Sequence, residues 1–185
     1  MGALIKAQNP RDLISPDDQD QAQYLTFLLG GEMFAIGILQ IKEIIEYGHL
    51  TTVPMMPEFI RGVINLRGAV VPVVDLSARF GRKQSDITRR TCIVIIEVES
   101  DDEKQDVGVV VDSVSEVLEI PEKEIEPAPS FGTRIRADFI NGMGKVNGKF
   151  VIILGVNNVL SLDDLFLLDQ MVDSNGLVAH EAAAV

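Results

Sequence analysis

Phe59-Ile60-Arg61-Gly62-Val63-Ile64-Asn65-Leu66-Arg67-Gly68-Ala69-Val70-Val71-Pro72-Val73-Val74-Asp75-Leu76 decides the fold. Two apolar runs, Phe59 to Leu66 and Ala69 to Asp75, flank Arg67-Gly68, where glycine supplies the positive φ of a tight turn between strands. The stretch therefore reads as a β-hairpin, and it occurs twice. Phe59-Ile60-Arg61-Gly62-Val63 returns as Phe139-Ile140-Asn141-Gly142-Met143, an offset of 80 (139 − 59). The same offset carries Val70 to Val74 onto Phe150 to Leu154, and Asn147-Gly148 is the strongest short hairpin signal in the chain.

Working outward, Ile36 to Glu46 is echoed by Val109 to Glu119 at an offset of 73 (109 − 36), so two copies of one β unit are implied. Further strands are expected over Tyr24–Leu29, Met33–Gly37, Thr91–Val98 and Val107–Ile120, with an acidic loop at Ser100–Asp106. About five strands per unit suffice to close a small barrel and hide its edges. The expected fold is all-β: two pseudo-repeated five-stranded barrels packed together, with Ile36 equivalent to Val109 and Val74 to Leu154. Ile38, Ile41 and Ile44 recur every three residues, as a short helical turn would place them. Asp75-Leu76-Ser77-Ala78-Arg79-Phe80 reads as a single capped helical turn, and a C-terminal α-helix is expected after a Ser161 cap. Residues 1–21 and 171–185 read as flexible tails around one domain, residues 22–170, of two interleaved lobes.

The chain has 185 residues, suited to one domain or two small lobes, and a formal net charge of −12 that disfavours nucleic acid as a partner. Its one cysteine, Cys92, stands in an apolar run and has no partner for an internal disulfide, which fits a reducing compartment. No apolar run approaches the roughly 18 residues of a membrane span, and the start lacks a long signal-peptide core. A cytoplasmic protein is expected, reaching the membrane only through a partner.

Catalytic patterns are missing. His49 and His180 are the only histidines, and neither lies near the cysteine or paired carboxylates. Gly142 to Gly148 lacks phosphate-loop spacing, and Ser100 to Asp106 lacks the central glycine and closing glutamate of a calcium loop. Neither an enzyme, nor a cofactor, nor a metal site is expected.

The opening stretch, with Val107-Gly108-Val109-Val110-Val111-Asp112-Ser113-Val114-Ser115-Glu116-Val117-Leu118 and Pro127-Ala128-Pro129, resembles the signature of the CheW family. The resemblance covers essentially residues 22–170. It implies SH3-like barrels and a non-enzymatic adaptor in chemotaxis signal transduction, recruited to the inner membrane face through receptor arrays. One surface would hold the cytoplasmic tip of chemoreceptors (methyl-accepting chemotaxis proteins), and others the CheW-like regulatory domain of the histidine kinase CheA. On this resemblance the receptor tip lies in an apolar groove between the barrels, at Leu25, Ile38, Ile41, Ile44 and Val114. Positions tied to kinase or receptor coupling correspond to Glu43, Gly62, Arg67 and Val117, with Phe131 near the other end. Gly62 has an alternative reading in backbone geometry, Val117 in the core and Phe131 as a loop anchor. Arg67, charged and beside a turn glycine, has no core duty. Glu126 departs from relatives that carry a basic residue before the Pro-Ala-Pro segment. Two other readings stay open: an adaptor of another chemosensory array, governing pili or gene expression, and a small β-barrel enzyme or ligand-binding protein.

Overall fold

Short runs of alternating aliphatic residues make strands, because a period of two turns one face of each to a core. The computed structural model describes residues 21–100, 102–129 and 135–161. In chain order the strands are β1 (Gln21–Leu29), β2 (Glu32–Gly37), β3 (Ile41–Glu46), β4 (Ile60–Leu66), β5 (Ala69–Asp75), β6 (Cys92–Ser100), β7 (Glu103–Val111), β8 (Ser113–Pro121), β9 (Ile125–Glu126), β10 (Ile140–Val146) and β11 (Lys149–Leu154). Single helical turns α1 (Leu76–Arg79) and α2 (Val156–Val159) follow β5 and β11.

The strands form two sheets, ordered β3-β6-β7-β5-β4 in lobe I and β8-β1-β2-β11-β10-β9 in lobe II. The fold is all-β in two SH3-like lobes, and the two-residue β9 gives lobe II its sixth strand. The repeat is borne out in the pairing. The parallel partners Val73 and Gly108 in lobe I correspond to Ile153 and Ala35 in lobe II, through the offsets of 80 (153 − 73) and 73 (108 − 35). A third offset links β6 to β1: Ile96 pairs with Ile41 as Phe27 pairs with Val114, which gives 69 (96 − 27).

The repeat units and the lobes do not coincide. The first unit gives β1 and β2 to lobe II and β3, β4 and β5 to lobe I; the second reverses this, giving β6 and β7 to lobe I and β8, β10 and β11 to lobe II. The chain crosses at the 3-10 turn Ile38–Gln40 and again at Asp112. Neither connection is a tight reversal, so each strand that follows one pairs in the opposite sheet. This corrects the expected single run Val107–Ile120, which Asp112 divides: its N–H donates to the Leu28 carbonyl at 3.0 Å and its carboxylate accepts from Gly30 N at 2.8 Å. Strand pairing also extends through Ser100 and Glu103, so the expected acidic loop shrinks to the hairpin end, and β1 begins at Gln21, inside the expected tail. The expected helix after Ser161, the remainder of both tails and Phe131 lie outside the described residues.

Three apolar layers follow. Lobe I encloses Val71, Val73, Ile93, Ile95 and Val110, and lobe II encloses Ala35, Ile120, Val151 and Ile153. The largest cluster lies between them, where Leu25, Phe27, Leu29 and Ile36 from lobe II meet Val94, Ile96, Val98 and Val109 from lobe I. Phe27, Phe34, Phe80 and Phe139 run through it as a ladder with centroid separations of 6.0, 5.6 and 6.1 Å. Such ring pairs each contribute about 0.5–1.5 kcal/mol beyond the burial itself.

A candidate partner-binding surface

Strand β3 is an edge of lobe I, and its counterpart β8 is an edge of lobe II. Each carries a bulge that rephases its side chains. On β3 the register passes from Ile41↔Ile96 to Glu43↔Ile95 and Ile44↔Val94. Ile96 and Val94 belong to the central layer and Ile95 to the lobe I interior, so Ile41 and Ile44, three residues apart, face the same side. On β8, Val114 opposes Phe27 and Val117 opposes Leu25, again three apart and again on the central side. The period of three is thus a bulged strand and not a helical turn; only Ile38–Gln40 is helical. In lobe II the bulge is held by Thr26, fully buried, whose hydroxyl donates to the Glu116 carbonyl at 2.8 Å and accepts from Glu116 N at 3.2 Å.

Ile38, Ile41 and Val114 are half-buried against the central layer, while Ile44 and Val117 are 43% and 48% exposed. Ile38 lies in the crossing turn, which packs against both β1 and β6. These five residues form an aliphatic margin along the two edge strands. Leu25, expected in the groove, is 3% exposed and belongs to the central layer. Val117, for which the core was an alternative, is on the surface.

Glu43 and Arg67 meet. Arg67 Nη2 donates to Glu43 Oε2 at 2.7 Å, and Glu43 Oε1 is buried without a hydrogen-bond partner among the described residues. Arg67 itself adopts a left-handed φ of 53°, so the turn uses positive φ at both Arg67 and Gly68, where the sequence suggested only the glycine. Nearby, Lys42 Nζ lies 2.7 Å from Asp106 and 3.1 Å from Glu97, tying β3 to its neighbours. Hydrogen bonds to Asp106 and Glu97 raise the Lys42 pKa, and Lys42 followed by Lys104 lowers that of Glu97. Gly62 has a structural duty: a Cβ there would stand 2.4 Å from the Thr51 carbonyl oxygen.

The helical turn expected after β5 is capped by Asp75. Its side chain, itself fully buried, accepts from Ala78 N at 3.1 Å, from Arg61 Nε at 2.8 Å and from Ser85 N at 3.0 Å. Every oxygen is engaged in holding backbone, which is structural work.

Residues 23–164 match the CheW-like domain. The chemotaxis protein CheW of Klebsiella aerogenes is 32% identical over 153 residues, covering 83% of this chain and 90% of that protein. Its counterpart in Bacillus subtilis is 35% identical, covering 74% of this chain and 85% of that protein. Among solved structures, the scaffolding protein TtCheW of Thermoanaerobacter tengcongensis superposes with a TM-score of 0.68 at 34% identity, covering 75% of this chain and 87% of its own. Fold, repeat and sequence agree, and the chain belongs to the CheW family of chemotaxis scaffold proteins.

Proposed function

We propose that this chain is a non-enzymatic adaptor that couples chemoreceptors to the histidine kinase CheA. The observation that carries the reading is the aliphatic margin of Ile38, Ile41, Ile44, Val114 and Val117. Both bulges turn β-branched side chains to the same side of edge strands, where a helical hairpin can bury them in the manner of groove recognition. The Arg67–Glu43 pair stands on the same lobe as β3, and the kinase's CheW-like domain is the partner we assign to it. No helix among the described residues is long and apolar enough to cross a membrane, so recruitment to the membrane would run through the receptor.

Mixing the purified chain with a receptor tip and CheA tests this: a ternary complex with raised kinase activity is expected, and separate elution of all three defeats the proposal. Ile41→Asp weakens receptor-tip binding at least about tenfold, because each 1.4 kcal/mol or so is a factor of ten and burying a carboxylate costs more. Far-UV circular dichroism of that variant stays native; loss of the β signal would reassign Ile41 to the core. Arg67→Ala lowers kinase activation while shifting the melting temperature little, since an exposed ion pair contributes only about 0–1 kcal/mol. A large drop in melting temperature with normal activation would give Arg67 a purely structural role.

A further inference from the structure

Both edge strands carry the same bulge, and the two lobes hold it by different means. In lobe II the means is Thr26, fully buried, whose hydroxyl bonds to both backbone groups of Glu116. The lobe I equivalents of Thr26 and Glu116 are Ile95 and Glu43, by the offsets of 69 (95 − 26) and 73 (116 − 43). An isoleucine side chain cannot make those bonds, so a different contact has to fix β3.

Lys42 is the extra residue of the lobe I bulge, skipped between Ile41↔Ile96 and Glu43↔Ile95. Its ammonium lies 2.7 Å from Asp106 and 3.1 Å from Glu97, two residues that pair across β6 and β7, and Lys104 reaches the other oxygen of Glu97 at 3.2 Å. Glu97 stands two residues from Ile95 and hence on the same face of β6. Lys42 and Glu43 therefore reach that face in succession, which is what returns Ile41 and Ile44 together to the central side. A slip of β3 by one residue would exchange faces: a charged side chain would meet the central layer and an isoleucine would leave it. The lobe II equivalents of Lys42, Glu97 and Asp106 are the uncharged Ser115, Leu28 and Met33, by the offsets of 73 (115 − 42), 69 (97 − 28) and 73 (106 − 33).

We propose that Lys42 is a positioning residue for receptor binding: by clamping Glu97 and Asp106 it fixes the β3 bulge, and through the bulge it aims Ile41 and Ile44. The proposal rests on the reading of the aliphatic margin as the receptor site. The lobe I half of that margin is held by charges at the surface, the Lys42 side chain being 46% exposed, and the lobe II half by the buried neutral hydroxyl of Thr26. Only the first is open to screening by salt.

The free chain tests the clamp. Methyl NMR of Lys42→Met is expected to show exchange broadening at Ile41 and Ile44 and none at Val114 and Val117, with little change in melting temperature. Glu97→Gln combined with Asp106→Asn gives the same pattern, and Lys42→Arg keeps the signals sharp. In the native chain, raising salt from about 0.1 M to about 1 M, which shortens the screening length from roughly 10 Å to 3 Å, broadens the lobe I pair alone. Sharp Ile41 and Ile44 signals in Lys42→Met overturn the proposal, as does broadening that extends to Val114 and Val117. Titration with a receptor tip then tests the link to binding: Lys42→Met and the Glu97, Asp106 double variant both lose affinity, by about two- to fivefold. Affinity lost with the methyl signals unmoved makes Lys42 a contact residue, and affinity kept despite broadened signals severs the bulge from binding; either overturns the positioning role. A native chain that shows the methyl pattern but binds no receptor tip defeats the receptor reading and leaves the clamp standing.

Discussion

Asp75→Ala lowers the stability of the fold by about 3–5 kcal/mol, the cost of removing one partner from a buried ion pair. The carboxylate does three things that alanine cannot: it caps α1 through Ala78 N, satisfies the buried Ser85 N, and faces Arg61 Nε at 2.8 Å. Its loss leaves a guanidinium whose side chain is only 17% exposed without its carboxylate, together with two unsatisfied backbone donors. For a chain of this size each kcal/mol lowers the melting temperature by about 2–4 °C, so thermal denaturation should show a fall of roughly 6–20 °C. Asp75→Asn keeps the cap acceptor and falls between alanine and the native chain. A melting curve unchanged by Asp75→Ala would refute the account. Among the described residues lobe II repeats no such cluster: the equivalents of Arg61 and Asp75 are Asn141 and Gly155, and α2 has no side-chain cap.

The second large effect is expected at Gly62. Its φ is 150°, and the two bonds that join Thr51 to Val63, both 2.9 Å, bring the Thr51 carbonyl over the glycine. Gly62→Ala meets both an overpacking cost of about 1–3 kcal/mol and backbone strain of about 1–3 kcal/mol. Gly148→Ala is the control: its φ is 75° but nothing lies within 4 Å of an added Cβ, so only the left-handed backbone costs, about 1–2 kcal/mol. Urea denaturation of the two variants should therefore separate them, with Gly62→Ala the less stable. Equal midpoints would remove the close-approach argument. Any loss of coupling in a Gly62 variant then acts through the lobe I bulge, where the register skips between Ile60 and Gly62.

The hairpins were legible because a hairpin is local: Arg67-Gly68 and Asn147-Gly148 declare their turns, and apolar runs on either side declare the strands. The equivalence of Ile36 with Val109 and of Val74 with Leu154 was legible for the same reason. Which sheet a strand joins was not. Nothing within Val107–Ile120 marks Asp112 as a crossing, since the partners that settle it, Gly30 and Leu28, are some 80 residues away, 82 (112 − 30) and 84 (112 − 28). Leu25 could not be told from a groove residue, because β1 lies between β8 and β2 and buries Leu25, Thr26 and Phe27 in succession, which erases the alternation that would assign faces. The aliphatics Ile38, Ile41 and Ile44 were seen, but their spacing is explained by a bulge, and a bulge is a property of a strand pair. Glu43 and Arg67 were each singled out by resemblance, while their contact needs β3 and the β4–β5 turn in one lobe.

The crossing of the chain between lobes has a kinetic consequence. β1 pairs with β8 from Gln21↔Pro121, a separation of 100 residues (121 − 21), and β2 pairs with β11 through Phe34↔Ile152, a separation of 118 (152 − 34). Lobe II cannot close until almost the whole chain is present, and lobe I docks on a layer that β1 and β2 complete. Folding dominated by such distant pairings belongs to the slow regime of milliseconds to seconds. During synthesis β1 and β2 must wait, unpaired on their outer edges, while lobe I is made. Once assembled, the two lobes share one barrier to opening, so hydrogen exchange at Val109 in one and Ile153 in the other should report a single free energy.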